Sequence, residues 1–200
     1  FLEHLGHRSI LDVELGDQVE REMAVLFMDA RNFTTVSESL TAQQTFALVN
    51  RLLARVGPIM RRHGGFIDKY IGDAIMALFP GSVDGACAAA LEIQQAVAAL
   101  RAEATGPAQA SLAVGVGVHC GVMMLGTIGE TERMDSTVIS DAVNIASRLE
   151  GLTKEMGVDI IISQDVLSSL EDPGRFKTRS LGASAVKGRA EPIGVHALVT

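Results

Sequence analysis

The 200-residue chain has the length of one domain, or of one domain with a short appendage. Its apolar content of 48% is enough for a full hydrophobic core, and its charged content of 20% is ordinary. A net charge of −7 without a basic stripe argues against a nucleic-acid partner held through its phosphates. A nucleotide substrate is not excluded, because it needs only a few local cations.

Cysteine usage and hydropathy favour a cytoplasmic domain. Cys87 and Cys120 lie in apolar surroundings without CxxC spacing, which predicts reduced thiols in the core. No apolar run reaches the roughly 18 residues that a membrane span needs, and no signal peptide is visible. The first residue is not Met, so we expect a piece of a longer protein whose upstream sensor or membrane anchor would lie outside this sequence.

The first predicted strand ends in an acid. Residues 1–22 are mixed and polar, and they predict an N-terminal linker or short helix ahead of a domain that spans 23–200. The apolar run 23–28 then leads into Asp29, a pattern typical of a strand buried on both faces. After a turn and a short helix, Thr41 begins a longer helix with the spacing of a capping box.

A hairpin signal follows in the segment 66–79. Two apolar, β-prone runs flank Gly72 and Asp73, which predicts a tight turn with Gly72 at the positive φ of type II′. The turn would hold the Asp73 carboxylate at a strand tip, with Lys69 four residues upstream. A solvated surface acid is the simpler interpretation of Asp73 alone, and Asp29 in a similar setting favours a shared site.

The rest of the chain alternates strands and helices. Segment 83–100 predicts an Ala-rich amphipathic helix, and Ser140 predicts the cap of another helix. Strands are predicted at 112–119, 121–125, 137–139, 159–162, 175–181 and 193–199, with a polar loop over 126–135 and a short helix over 164–170. This order predicts an α+β fold with a mixed sheet covered by helices.

Two strand-end acids suggest a metal site. If the strands of Asp29 and Asp73 are neighbours, the carboxylates converge and suit two Mg²⁺ ions about 3.5–4 Å apart, as used in phosphoryl transfer. Spacing in the sequence leaves open the alternative of two unrelated surface acids.

Three motifs, in order, resemble the signatures of class III adenylate and guanylate cyclase catalytic domains. They are FMDARNFT at 27–34, KYIGDAIMALF at 69–79 and TVISDAVNIASR at 137–148. The resemblance runs from about residue 22 to 199. It implies a ferredoxin-like, palm-type cyclase fold with a mainly antiparallel sheet and flanking helices.

The resemblance implies roles for the metal-binding and catalytic residues. Asp29, Asp73 and the backbone carbonyl of Ala30 match positions that hold two Mg²⁺ or Mn²⁺ ions per active site. Asn144 matches the residue that orients the ribose. Arg148 matches the arginine that stabilises the α-phosphate in the transition state.

Other matched positions contact the substrate. Lys69 matches the reader of adenine N1, and Thr137 matches the position that accepts from the adenine amino group. Lys187 and Arg133 match loop positions that contact the phosphates. Ser140 departs from the family pattern, which has Gly there, and we expect it to add a helix cap.

The implied activity is that of an adenylate cyclase, a lyase that converts ATP to 3′,5′-cyclic AMP and pyrophosphate. The implied assembly is a homodimer with two shared active sites. A guanylate cyclase is the nearest alternative, and Lys69 and Thr137 disfavour it, because the family's guanylate cyclases carry Glu and Cys there. A catalytically inactive nucleotide-binding or regulatory module is a second alternative, disfavoured because the aspartates, Asn144 and Arg148 are all present.

Overall fold

The computed structural model describes residues 15–130, 133–185 and 191–199, except for the side chains of residues 133 and 134. Within this part of the chain, eight strands form one sheet. They are β1 (Gln18–Ala30), β2 (Phe66–Ile71), β3 (Ala74–Phe79), β4 (Val114–Glu130), β5 (Arg133–Ile139), β6 (Ile160–Ser163), β7 (Thr178–Ser184) and β8 (Ile193–Leu198).

Helices cover both faces of the sheet. They are α1 (Phe33–Glu38), α2 (Ala42–Arg62), α3 (Val83–Ala102), α4 (Pro107–Ala110), α5 (Asp141–Glu155) and α6 (Gln164–Ser168), with a 3₁₀ turn at Pro173–Arg175. The predicted capping box is present at the start of α2, where Thr41 and Gln44 each accept from the other's backbone N–H. None of the helices in the described ranges is long and apolar enough to cross a membrane.

The strand order is β2-β3-β1-β4-β6-β8-β7, and β5 pairs with β4 outside this path. Only β4 and β6 are parallel among the described pairs, and α5 lies between them in sequence. The other pairs are antiparallel. The prediction of an α+β fold with a mixed, mainly antiparallel sheet is therefore confirmed.

Successive side chains of the central strands point to opposite faces of the sheet, so an apolar core forms on each face. In β1, Leu26 and Met28 face a large cluster formed with α2, α3 and α6. Val25 faces the opposite cluster, which includes Val138 of β5 and Ala146 of α5. Asp29 continues this alternation on the α5 side, because successive strand residues point to opposite faces.

The core also contains both cysteines. Cys87 and Cys120 are buried and free, as predicted from their apolar surroundings. Burial, reinforced by the negative charge of Asp84, raises the pKa of the Cys87 thiol to about 12. This thiol is therefore an inert core group.

Three strand predictions were too short, those for β1, β4 and β5. β1 begins at Gln18, so residues 18–22 are strand, not linker or helix. β4 is one continuous strand where two were predicted, and the supposed polar loop 126–135 belongs largely to the β4–β5 hairpin. The physical reason is pairing: Gln18 lies opposite Gly126 and Glu22 opposite Val122, so the polar segment 18–22 and the segment 122–126 supply each other's backbone partners.

Candidate active site

Asp29 and Asp73 come together where β1 ends and the β2–β3 hairpin turns. Met28 of β1 lies opposite Ile75 of β3, so Asp29 lies beside the turn that carries Asp73. Burial, then the negative charge of Asp73, raises the pKa of the Asp29 carboxyl, and a hydrogen bond between the two side chains acts in the same direction. The two carboxylates therefore converge within one chain.

The turn that presents Asp73 has the predicted form. Ile71 and Ala74 close a two-residue turn in the β2–β3 ladder. Gly72 has a φ of 63°, whereas Asp73 has no positive φ, which fits the type II′ pattern. Gly72 is needed here because a side chain is strained in that conformation.

A third carboxylate, that of Glu150 on α5, lies next to this pair. A Cβ added to Gly115 would come within 2.5 Å of Glu150 Oε1, and one added to Gly117 within 2.2 Å of the Glu150 backbone nitrogen. Gly115 lies opposite Asp29 in the β1–β4 ladder, so the Glu150 carboxyl sits over the end of β1. Burial, followed by the negative charge of Asp29, raises the pKa of Glu150 to about 7.

Sequence reasoning missed Glu150, although a signal for it exists. Gly115 and Gly117 alternate with valines inside a buried strand, and a glycine in such a position often marks the close approach of another backbone. These glycines do not form a dinucleotide-binding loop. Because they lack side chains, helix α5 can pack closely against β4. Only the tertiary contact shows that Glu150, together with Ala146 and Thr153, lies against these glycines.

Arg31, directly after β1, is held by an ion pair and by hydrogen bonds to neighbouring segments. Its Nη1 lies 3.0 Å from Asp159 Oδ1, its Nη2 donates to the carbonyl of Val158, and its backbone N–H donates to the Ala113 carbonyl at 2.7 Å. The side chain is 20% exposed, and its positive charge opposes the rise in the Glu150 pKa. Arg31 therefore anchors the end of β1 and partly balances the negative charge at Glu150.

Lys69 lies on β2 and Thr137 on β5, two strands that do not pair with each other. Lys69 is opposite Met76 in the β2–β3 ladder. Met76 belongs to the same buried cluster as Val138, so Thr137, which precedes Val138 on β5, points to the opposite side of that strand. The side chain of Lys69 is 40% exposed, so its ammonium is accessible.

Asn144 and Arg148 are one turn apart on α5 and share a face, as their spacing predicts. Asn144 is exposed, and Arg148 is half-buried. Ser140 caps this helix: its Oγ accepts from the Ala142 N–H and donates to the Val122 carbonyl at 2.7 Å. Glu150 is about 160° around the helix from Arg148, since each residue turns it by about 100°. Asn144 and Arg148 therefore face away from the acids of their own chain.

Two predicted phosphate contacts cannot be placed. Lys187 lies outside the described residues, and the side chain of Arg133 is likewise outside them. The backbone of Arg133 pairs with Glu130 near the tip of the β4–β5 hairpin. Both roles stay predictions.

The carboxylates fit a divalent cation that prefers oxygen ligands. Asp29 and Asp73 repel each other, and a bound cation would relieve that repulsion. Among the described residues, no group of three or more His, Cys, Asp or Glu side chains is arranged to hold a metal. Further oxygen ligands would therefore come from backbone carbonyls, such as that of Ala30, from water or from substrate, a ligand set typical of Mg²⁺.

The fold and this acidic site define a class of protein. The family model for the adenylate and guanylate cyclase catalytic domain matches residues 16–199, and the chain belongs to this family. The family identified from the three motifs is thereby confirmed. Domains of this family are generally metal-dependent, which agrees with the carboxylate pair.

Individual relatives are named adenylate cyclases. The chain is 43% identical over 202 residues to an adenylate cyclase of Anabaena cylindrica, covering 98% of this chain and 40% of that relative. It is similar to the solved adenylyl cyclase CyaB of P. aeruginosa, with 29% identity, a TM-score of 0.79, and coverage of 92% and 96% of the two chains.

A guanylyl cyclase structure is also similar. The solved guanylyl cyclase Cya2 matches with 27% identity and a TM-score of 0.76, covering 92% of this chain and 94% of that chain. The fold is therefore shared by enzymes named for either base. The chain also spans less than half the length of its Anabaena relative.

Proposed function

We propose that this domain is the catalytic domain of an adenylate cyclase, which converts ATP to 3′,5′-cyclic AMP and pyrophosphate. The observation that carries the proposal is the pair of carboxylates, Asp29 and Asp73, held together at the end of β1. Relatives named adenylate cyclase support the choice of reaction, with 43% identity across 98% of this chain in one case.

The acidic site would hold two Mg²⁺ or Mn²⁺ ions. Asp29 and Asp73 would bind them together with the Ala30 carbonyl. Bound divalent cations supply Lewis acidity toward the ribose 3′-hydroxyl and the phosphate oxygens. The chain's own contribution is to fix one carboxylate at the end of a strand and the other in a tight turn before substrate arrives.

Lys69 and Thr137 would select adenine. The lysine ammonium is a donor and adenine N1 an acceptor, while the threonine hydroxyl can accept from the adenine amino group. Guanine carries an N–H at position 1, so Lys69 would face a donor with a donor. Unpaired buried groups of this kind can lower the acceptance of a wrong base by several powers of ten.

Asn144 and Arg148 would act on the ribose and the α-phosphate. Both project from one face of α5, and the guanidinium is suited to the charge that develops on phosphate oxygens in the transition state. Lys187 and Arg133 are proposed as further phosphate contacts on the basis of the motif resemblance alone.

The active site would be completed by a second copy of the chain. Asn144 and Arg148 face away from the acids of their own chain, so one chain presents two separate halves of the site. Large apolar side chains remain about half exposed on the sheet and its hairpins, which suits a covering partner. They include Tyr70, Ile71, Val122, Ile128 and Ile139. A homodimer with two shared active sites would accommodate both features.

A product assay tests the proposal. The purified domain is incubated with ATP or GTP and with Mg²⁺ or Mn²⁺, and the product is identified by chromatography. Cyclic AMP is expected from ATP, with specific activity falling on dilution as dimers dissociate. A chelated sample is the matched control. Absence of cyclic AMP at every protein concentration would reject the assignment, and cyclic GMP as the main product would establish the guanylate cyclase alternative.

A further inference from the structure

Asp68, next to Lys69, has an unusual place in β2. The β2–β3 ladder shifts register between Ile67 and Lys69, so Asp68 is the extra residue of a β-bulge. Neighbouring strand residues normally point to opposite faces, whereas a bulge re-aims a side chain. The bulge therefore allows the Asp68 carboxyl and the Lys69 ammonium to lie side by side.

The two side chains differ sharply in exposure. The Asp68 side chain is 2% exposed and that of Lys69 is 40% exposed, with Lys69 Nζ 3.2 Å from Asp68 Oδ2. Among the described residues, this buried oxygen has no well-aligned hydrogen bond, and it forms an ion pair with Lys69. Burial raises the pKa of Asp68, and the Lys69 charge opposes that rise.

We propose that Asp68 is a positioning residue that holds the Lys69 ammonium in place to meet the base of the nucleotide, and so contributes to the choice of ATP over GTP. The inference rests on the proposed function and concerns a residue that does not touch the substrate. The inference follows from the position of the buried Asp68 carboxylate beside the partly exposed, flexible side chain of Lys69.

The energetic reason is the freedom of the lysine side chain. A free lysine loses rotamer entropy when its ammonium is fixed. An ion pair formed beforehand removes part of that cost from substrate binding. One contact to Asp68 also leaves N–H donors of the ammonium available for adenine N1. A held ammonium cannot swing away from the N1–H of guanine, so the same contact would disfavour GTP.

The main test is Asp68→Asn, which keeps the shape and removes the charge. We expect the KM for ATP to rise roughly tenfold, with a smaller change in kcat, and the ATP-to-GTP ratio of kcat/KM to fall about tenfold. Glu38→Gln, which removes an exposed charge on α1, is the matched control and should change neither. An unchanged ratio in a folded Asp68→Asn protein would overturn the inference.

A double-mutant cycle separates positioning from a purely structural role. In a Lys69→Ala background, Asp68→Asn should have no further effect on the ratio, because the residue it positions is absent. Additive effects would overturn the inference. If Asp68→Asn fails to fold, Asp68→Glu keeps the charge and should retain most of the ATP preference, whereas its loss would count against the inference.

Failure of the inference and failure of the proposed function are distinguishable. A wild-type protein that makes cyclic AMP, combined with an unchanged ratio in Asp68→Asn, rejects only the positioning role. A wild-type protein that makes no cyclic nucleotide rejects the proposed function. In that case the ratio of dissociation constants for ATP and GTP, measured by calorimetry, replaces the kinetic ratio and still decides the role of Asp68.

Discussion

The acidic half of the candidate site and its cationic half are built in different ways. The acidic half consists of Asp29, Asp73 and Glu150, which three separate elements bring together inside one chain. The cationic half includes Lys69 and Arg148, which lie on outward-facing parts of β2 and α5. The acids repel one another, so rigid surroundings must hold them. In the proposed function, Lys69 would meet the base and Arg148 the α-phosphate of a bound nucleotide.

This difference draws attention to helix α5, which contributes residues to both halves of the site. One side of α5 brings Glu150 to the end of β1, and another presents Asn144 and Arg148 outward. A single helix therefore contributes to both halves, at positions about 160° apart for Glu150 and Arg148. Changes in α5 or in its packing should affect the two halves separately.

The largest effect on activity is expected when the acidic half is disabled in one chain and the cationic half in another. Asp73→Ala should lower cyclic AMP formation by about 1,000-fold or more, because a metal-binding carboxylate is lost, and Arg148→Ala should lower it by removing transition-state stabilisation. A mixture of the two inactive proteins should regain about a quarter of wild-type activity, since random pairing gives mixed dimers that hold one intact site.

Each variant alone, at the same total concentration, is the control for this mixture. A mixture that stays inactive, although both variants fold and dimerise, would contradict shared sites. Activity would then have to arise within one chain.

A large effect on stability is expected at the contact between α5 and the sheet. A Cβ at Gly117 would lie 2.4 Å from the Ala146 carbonyl oxygen and 2.2 Å from the Glu150 nitrogen, and neither backbone atom can move freely. Gly117→Ala should therefore cost about 3 kcal/mol of unfolding free energy and lower the Tm by roughly 6–12 °C.

Gly151→Ala is a matched control on α5 itself, because a Cβ there would meet nothing within 4 Å. It should raise the unfolding free energy by about 0.5–1 kcal/mol through helix propensity. A Tm for Gly117→Ala equal to that of the wild type in thermal unfolding would show that α5 does not approach β4 so closely.

A smaller, pH-dependent effect is expected from Glu150 in the metal-free protein. Its pKa is raised to about 7 in the folded state by burial and by the charge of Asp29, so the folded state favours the neutral carboxyl. Its contribution to stability is present below the pKa of about 4.5 in the unfolded chain and is lost as pH rises through about 7. Glu150→Gln should therefore unfold near the wild-type temperature at pH 5 and above it at pH 8.

The measurement is thermal unfolding in chelator at both pH values. Glu155→Gln, an exposed change near the end of the same helix, is the control and should show no such dependence. A Glu150→Gln shift that is equal at pH 5 and pH 8 would mean that Glu150 is neither buried nor held near the aspartates.

The smallest effect is expected at the start of α5. Ser140→Ala removes the cap that accepts from the Ala142 N–H and donates to Val122, and should cost about 1 kcal/mol, or roughly 2–4 °C in Tm. Ser140→Gly, which restores the residue of the family pattern, should cost less in the cap itself. Equal stability of all three proteins by calorimetry would mean that the cap contributes nothing.

Local signals in the sequence determined much of the fold and of the candidate site. The turn at Gly72, the cap at Thr41 and the acid at the end of β1 each depend on neighbouring residues, and all are present as predicted. The three motifs likewise identified the family, because they lie in the right order along the chain.

Tertiary structure alone decided the features that depend on residues far apart in sequence. The extent of β1 and β4 was misjudged because polar strands such as 18–22 are stable only through pairing, here with 122–126. Glu150 reaches Asp29 across the sheet only because Gly115 and Gly117 leave room for a helix. Asp68 reaches Lys69 because a bulge turns it toward its neighbour. These contacts could not be predicted from local sequence patterns, because they depend on how several helices and strands pack together.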